Sequence, residues 1–307
     1  MIRLKKLIIA GLLLSLIADS CQTEKQNMPN KEAADGQSML WRIDRADLKT
    51  PSWLFGSMHL MPKSKFVFNE QLRQLVLSVD SVVFEINLND KKANFNAITG
   101  TILPNGQLLS DLYSPEQFDS LETFMLDTLG KSSVEWAYYQ NLQPVFVSQT
   151  FYEVSFGDST ASYELTFQQL ANEHNIPVAG LETADYQVSL LDSIPIEIQA
   201  NMLLNEMRHY HRDLENLDHL VDLYVTQQID SMDEDLESDD EWSEYTDMLL
   251  NQRNQNWIKP IESFISNAVC FIAVGAGHLP GEQGIIRLLR NEGYILTPID
   301  FISGAEE

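Results

Sequence analysis

Two histidines share an unusual context. His59 lies in SWLFGSMHLMP (52–62) and His278 in FIAVGAGHLPG (271–281). In each segment an apolar run ends in Gly-x-x-His-Leu, and a proline follows within three residues of the histidine. A helical pattern and a second apolar run come next, SVVFEI (81–86) in the first case and YILTPI (294–299) in the second. Ligands of open α/β sheets bind beyond the carboxyl ends of the strands, which is where both histidines fall. The small residues before them let the chain turn sharply and let a ligand come close to the backbone.

Two acids reach the same edge. Glu85 ends the apolar run SVVFE and Glu182 ends IPVAGLE. Burying either carboxylate without a partner would cost several kcal/mol, so a metal, an arginine or a bound substrate must relieve it. Arg253, in LLNQRNQNW (249–257), is a candidate cation on a helix otherwise poor in positive charge. Two histidines with one or two glutamates also suit Zn²⁺, Mn²⁺ or Co²⁺ with a position left open for water. On that reading His59, His278 and Glu85 are the metal ligands, and Glu182 is a base or fourth ligand. Glu164, at the head of an apolar helix, is a weaker candidate, since acids at helix N-termini are common for dipole reasons alone. No HExxH, GxSxG or Walker A motif is present, and no GxGxxG opens a βαβ unit.

The elements that must position these residues read as an α/β fold. The expectation is a mixed sheet flanked by helices, with two strand–GxxH–helix–strand units and a helical insertion. Leu40–Asp44 and Ser52–Phe55 form a hairpin, Asn69–Ser78 a helix and Ser81–Ile86 a strand. Ser114–Gly130, Val134–Tyr152, Tyr163–Asn175, Asp185–Leu191 and Ile196–His211 are expected as helices, with a short strand at Ile176–Leu181. The stretch 213–263 is expected to be helical with an acidic middle. Val269–Val274 and Tyr294–Ile299 are strands around a helix at Gln283–Asn291. No long Gly/Pro/Ser linker interrupts residues 38–303, which favours one domain over two.

The N-terminus reads as an address. Residues 1–21 carry Arg3, Lys5 and Lys6 before an apolar run too short to span a bilayer comfortably, as a secretory signal does. The small residues before Cys21 resemble a bacterial lipobox, which predicts lipidation of Cys21, a flexible tether over 22–37 and a place in the bacterial cell envelope, at the periplasmic or outer-membrane face. Cleavage there would remove those three positive charges and Asp19, taking the formal net charge from -25 to -27. A chain so anionic has no field to attract phosphate backbones, so nucleic acid is excluded as a partner. With Cys21 lipidated, Cys270 has no disulfide partner in the chain, and its apolar surroundings mark a packed, inert thiol. Asp230–Asp247 holds ten acids and no Lys or Arg but lacks the grammar of a calcium loop, so a solvated face is expected. His174, His209, His211 and His219 lie in polar helical stretches and are expected at the surface.

Together, LWRIDRADLKTPSWLFGSMHL, SVVFEINL, IPVAGLETADYQ, the RNQNW segment and FIAVGAGHLPGEQGIIRLLRNEGYILTPI resemble the TraB/GumN family over residues 38–302. That family includes the Tiki metal-dependent proteases. The resemblance implies a fold related to erythromycin-esterase-like and ChaN-like proteins, with histidines and strand-end glutamates facing one cleft. Carried over, His59 and His278 match the family's two GxxH histidines, Glu85 and Glu182 its strand-end acids, and Arg253 and Asn254 its Arg-Asn pair; the hydrolase reading makes His59, His278 and Glu85 the metal ligands and Glu182, Arg253 and Asn254 the catalytic residues. The function implied is an extracytoplasmic metal-dependent hydrolase of the peptidase type, acting on a peptide or protein substrate with Mn²⁺, Co²⁺ or Zn²⁺. A haem- or iron-binding lipoprotein and a non-catalytic binding lipoprotein are the alternatives.

Overall fold

The computed structural model describes residues 36–156, 159–237 and 243–302. The expected signal, Cys21 and all but the last two tether residues lie outside the described residues, as do 238–242 of the acidic run. Among the described residues no helix is long and apolar enough to cross a membrane.

The described chain forms two compact units. The larger, from residues 36–89, 161–182 and 218–302, carries the sheet. Its strands are β1 (Leu40–Asp44), β2 (Ser52–Ser57), β4 (Ser81–Ile86), β6 (Val178–Glu182), β7 (Cys270–Gly275) and β8 (Ile295–Ile299); the two-residue strands β3 (Met61–Pro62) and β5 (Thr160–Ala161) lie outside it. The order is β6-β4-β7-β2-β1-β8. β1 and β2 make the expected antiparallel hairpin, with Leu40 opposite Phe55. β2, β7, β4 and β6 run parallel, and β8 closes the sheet antiparallel to β1. The sheet is therefore mixed, as expected. β7 is apolar throughout and buried along all but its last residue, as a parallel strand covered on both faces must be.

The register explains how distant motifs meet. β2 and β7 are neighbours, and Ser57 stands level with Gly275. The two Gly-x-x-His turns thus leave the same edge of the sheet side by side. The two crossovers interleave: β2 connects through Glu70–Leu77 to β4, while β7 lies between β2 and β4.

Aromatic packing fixes the helix Tyr163–Glu173 on one face. Phe167 meets Phe271 edge-on at 4.9 Å and Phe55 at 5.2 Å, and Tyr163 lies 5.0 Å from Phe55. Each such pair adds about 0.5–1.5 kcal/mol beyond burial alone. On the opposite face Gly56 leaves room for Leu279, whose Cδ1 would be 2.6 Å from a β-carbon there. A side chain at Gly56 would have to displace Leu279 and press on the Ala276 backbone at 3.2 Å.

The other unit comprises residues 90–160 and 183–217 and is built of helices. The helix expected over Val134–Tyr152 is two, Ser133–Tyr139 and Pro144–Ser155. Pro144 has no N–H to continue the first helix, and extended Gln143 lets it open the second. The expected continuous helix over 213–263 is also broken. Gln227 takes φ 59, which ends Ile196–Val225, and Ile229–Glu237 begins anew. The latter helix buries Ile229 and Met232 and packs against the turn Ala276–His278, so its acidic composition clothes one amphipathic piece of the fold.

Candidate functional site

Four elements deliver the site residues, all within the sheet-bearing unit. β2 leads to His59, β4 ends near Glu85, β6 ends at Glu182 and β7 leads to Gly275 and His278. The helix Gln252–Asn267 lays a stripe of Arg253, Asn254, Trp257, Ile258, Ile261 and Ile265 inward, so its first turn faces the strand ends. A π-turn over Asp247–Asn251 precedes it. There the backbone bonds run five residues back, with Gln252 N donating to the Asp247 carbonyl. The Leu249 carbonyl accepts Nη1 of Arg253 at 2.9 Å.

Arg253 is the centre of this cluster and is fully buried. Its Nη2 donates to Glu85 Oε2 at 2.6 Å and to Glu182 Oε1 at 2.8 Å, and its Nε donates to Glu182 Oε1 at 3.1 Å. Nη1 serves the Leu249 carbonyl and Nε2 of His278, the latter at 3.2 Å. A guanidinium has five N–H bonds, and all five are engaged here. Its ring neighbour Trp257 lies 4.7 Å from the guanidinium carbon and donates Nε1–H to Glu182 Oε2 at 2.8 Å. The two glutamates respond differently to the shared cation. Burial opposes ionisation of Glu85, but Arg253, both histidines and the Gly275 N–H at 2.7 Å hold its pKa down to about 2. Burial dominates at Glu182, and with Glu85 repelling it the pKa is raised despite Arg253.

The state of His278 follows from its neighbours. Arg253 can only donate, so Nε2 of His278 is the acceptor and Nδ1 carries the proton. Nδ1–H then donates to Asn254 Oδ1 at 2.6 Å, and Asn254 Nδ2 donates to the Gln283 carbonyl at 2.9 Å, which orients the amide. Burial and the Arg253 charge hold the pKa of His278 down to about 3, so this imidazole is neutral.

His59 is built the opposite way. Its Nδ1 lies 2.5 Å from Glu164 Oε1. Glu164 also accepts from the Ser57 hydroxyl and from Ser162 Oγ, the latter at 2.9 Å. Burial works against a charged His59, but the Glu164 carboxylate more than offsets it and raises the pKa to about 9. Nε2 is buried with no hydrogen-bond partner. The side chain is 15% exposed, against 2% for His278 and 1% for Arg253, and that exposure lies on ring atoms other than the buried Nε2. Gly275 is the meeting point: a β-carbon there would stand 3.3 Å from Glu85 Oε1, 3.5 Å from His59 Nε2 and 3.6 Å from His278 Cδ2.

The expected metal set does not fit this arrangement. Glu85 gives one oxygen to Arg253 and the other to Gly275, and the one unprotonated nitrogen of His278 faces a guanidinium donor. A divalent ion placed on these atoms would sit against an unscreened like charge. Among the described residues no group of three or more His, Cys, Asp or Glu could hold a metal ion. Of the three residues read as metal ligands, His278 and Glu85 have their converging atoms engaged in this structure, and only His59 has a ring nitrogen without a hydrogen-bond partner. Glu182, Arg253 and Asn254 are brought to the same cluster, where each is engaged in orienting a neighbour. Glu164 is the residue to which sequence reasoning gave too little weight.

The other four histidines and Cys270 lie where expected. His174, His209, His211 and His219 are exposed. Cys270 is buried and its thiol pKa is pushed up to about 11, first by burial and then by the Asp80 charge, which makes it unreactive.

The model of the TraB/PrgY/gumN family matches residues 39–298. No curated protein and no solved structure matches the chain.

Proposed function

The chain belongs to the TraB/PrgY/gumN family, and from that premise we propose that it is a hydrolase of the peptidase type whose reacting atom is Nε2 of His59. The observation that carries this reading is the pairing of a partly accessible imidazole, held at Nδ1 by a buried carboxylate, with a buried and unpartnered Nε2. That arrangement is the general requirement for a positioned proton-transfer group.

His59 carries a proton at neutral pH, because its pKa is about 9. Water adds to the substrate carbonyl, the bond to the leaving group breaks, and Nε2–H gives its proton to that group. The proton released by the attacking water then restores the imidazolium. Glu164 keeps Nδ1 protonated and the ring in place throughout. Glu85, Arg253, Glu182 and neutral His278 form the rigid, charged wall against which the ring is set. No step is assigned to a metal, since the expected ligands are otherwise engaged.

The substrate in this reading is a peptide or protein of the cell envelope, reached by an exported chain anchored through lipidated Cys21. The experiment is hydrolysis of a peptide and ester panel by the purified chain beside His59→Ala. Turnover that His59→Ala abolishes supports the reading, and turnover that survives it overturns the reading. Lipid labelling of the wild type and of Cys21→Ser tests the anchor separately.

A further inference from the structure

We infer that Arg253 occupies the place of a divalent cation in this cluster, and that the site works as a metal-free centre built around an internal guanidinium. The inference deepens the hydrolase reading and rests on its assignment of the cluster as the reactive site. Its ground is an inventory of donor atoms.

A His₂Glu₂ set is a sound binding site for a divalent metal when its lone pairs converge on one point. Here Glu85 Oε2, Glu182 Oε1 and His278 Nε2 all converge, and the atoms at their focus are Nη1 and Nη2 of Arg253. The guanidinium places its positive charge between the two buried carboxylates and pairs with both. It is held there by five groups. The Leu249 carbonyl in the π-turn takes one N–H, Trp257 packs against the planar group, and Glu85, Glu182 and His278 take the rest. Asn254, next in sequence, turns the protonated nitrogen of His278 outward and so points the lone pair of Nε2 at the guanidinium. A guanidinium cannot be displaced by losing a proton, unlike a lysine. Glu85 Oε2, Glu182 Oε1 and His278 Nε2, the three atoms that face the guanidinium, would be open to a metal only if this one side chain were removed.

The test uses Co²⁺ as probe, because its visible absorption reports ligation without any need for activity. The full chain, Arg253→Met and Arg253→Lys are each titrated with Co²⁺, with His278→Ala as control and circular dichroism as the check on folding. The wild type and Arg253→Lys are expected to show no Co²⁺ spectrum, whereas Arg253→Met gains one equivalent of bound Co²⁺. One equivalent bound by the wild type and lost in His278→Ala would overturn the inference, as would a folded Arg253→Met that binds none. If Arg253→Met does not fold, the wild-type titration decides alone. Failure of the hydrolase reading would appear as His59-independent turnover and would leave these spectra unchanged, so the two outcomes are separable.

Discussion

Nδ1 of His59 lies 2.5 Å from Glu164 Oε1, and the two residues come from elements that aromatic packing holds together. Glu164 sits in the first turn of its helix, capped by Ser162, where the helix dipole and the Ser162 hydroxyl both favour the ionised carboxylate. Phe55 in β2 packs on Tyr163 and Phe167 of the same helix, so the contact that builds the core also sets the acid beside the strand end. Core and site share one determinant.

Glu164→Gln removes the charge but keeps the shape. The His59 pKa, raised to about 9 by that carboxylate, should fall in the variant when followed by NMR titration of the ring. Turnover should drop on the order of 10²-fold through loss of ring alignment. An unchanged titration would mean that Glu164 does not govern the ring.

Gly275→Ala tests the geometry at the meeting point. The backbone there (φ -54, ψ 138) suits any residue, so the variant should fold. Its methyl group would stand 3.3 Å from Glu85 Oε1, which must give by a few tenths of an ångström, and in van der Waals contact with His59 Nε2 at 3.5 Å. A near-native melting temperature with reduced turnover is expected. Full activity would show that the space beside Gly275 is not used.

Arg253→Ala should be among the most destabilising single changes in the chain. It leaves Glu85 and Glu182 buried and uncompensated, which typically costs about 3–5 kcal/mol. Chemical denaturation measures this. Glu182→Gln should cost less, because burial already works against ionisation of that carboxyl. A larger loss in Glu182→Gln than in Arg253→Ala would reverse the assignment of the central charge.

The combined stabilising contribution of His59, His278 and Glu85 should be greatest near pH 6.5. The folded pKa of His59 is raised to about 9 from an ordinary value of 6.5, so its contribution is complete below 6.5 and fades as pH rises to 9. His278 is depressed to about 3, so the unfolded chain binds a proton more readily below 6.5 and stability falls as pH drops toward 3. Glu85, depressed to about 2 from 4.5, adds to that loss below pH 4.5. Thermal melts across pH 3–10 should show the maximum, and His59→Gln should flatten the alkaline limb alone.

Most of this architecture was legible in the residues. The strand–GxxH pattern located both histidines because apolar runs ending in small residues mark strand ends, and the sheet register then brings the two turns together. Glu85 and Glu182 were visible as acids ending apolar runs and Arg253 as a cation on a helix poor in positive charge, whereas Asn254 was legible only through the family resemblance. What the sequence left open was which partner relieves the two strand-end carboxylates. A metal and an arginine satisfy the same charge requirement, and only the fold shows the guanidinium reaching both acids. Glu164 was discounted because first-turn acids are frequent for local reasons, and here the first-turn acid also pairs with Nδ1 of His59. Pro144 and Gln227 broke two expected helices through backbone preferences that hydrophobic periodicity overlooks.

The most direct measurement of the central claim is hydrolysis of a peptide and ester panel by the full chain in excess chelator, with His59→Gln run in parallel. General acid–base groups contribute roughly 10²–10⁴-fold to rate. The account predicts turnover indifferent to chelator and reduced by about that factor in His59→Gln. Turnover that disappears in chelator, or that His59→Gln retains in full, would contradict it.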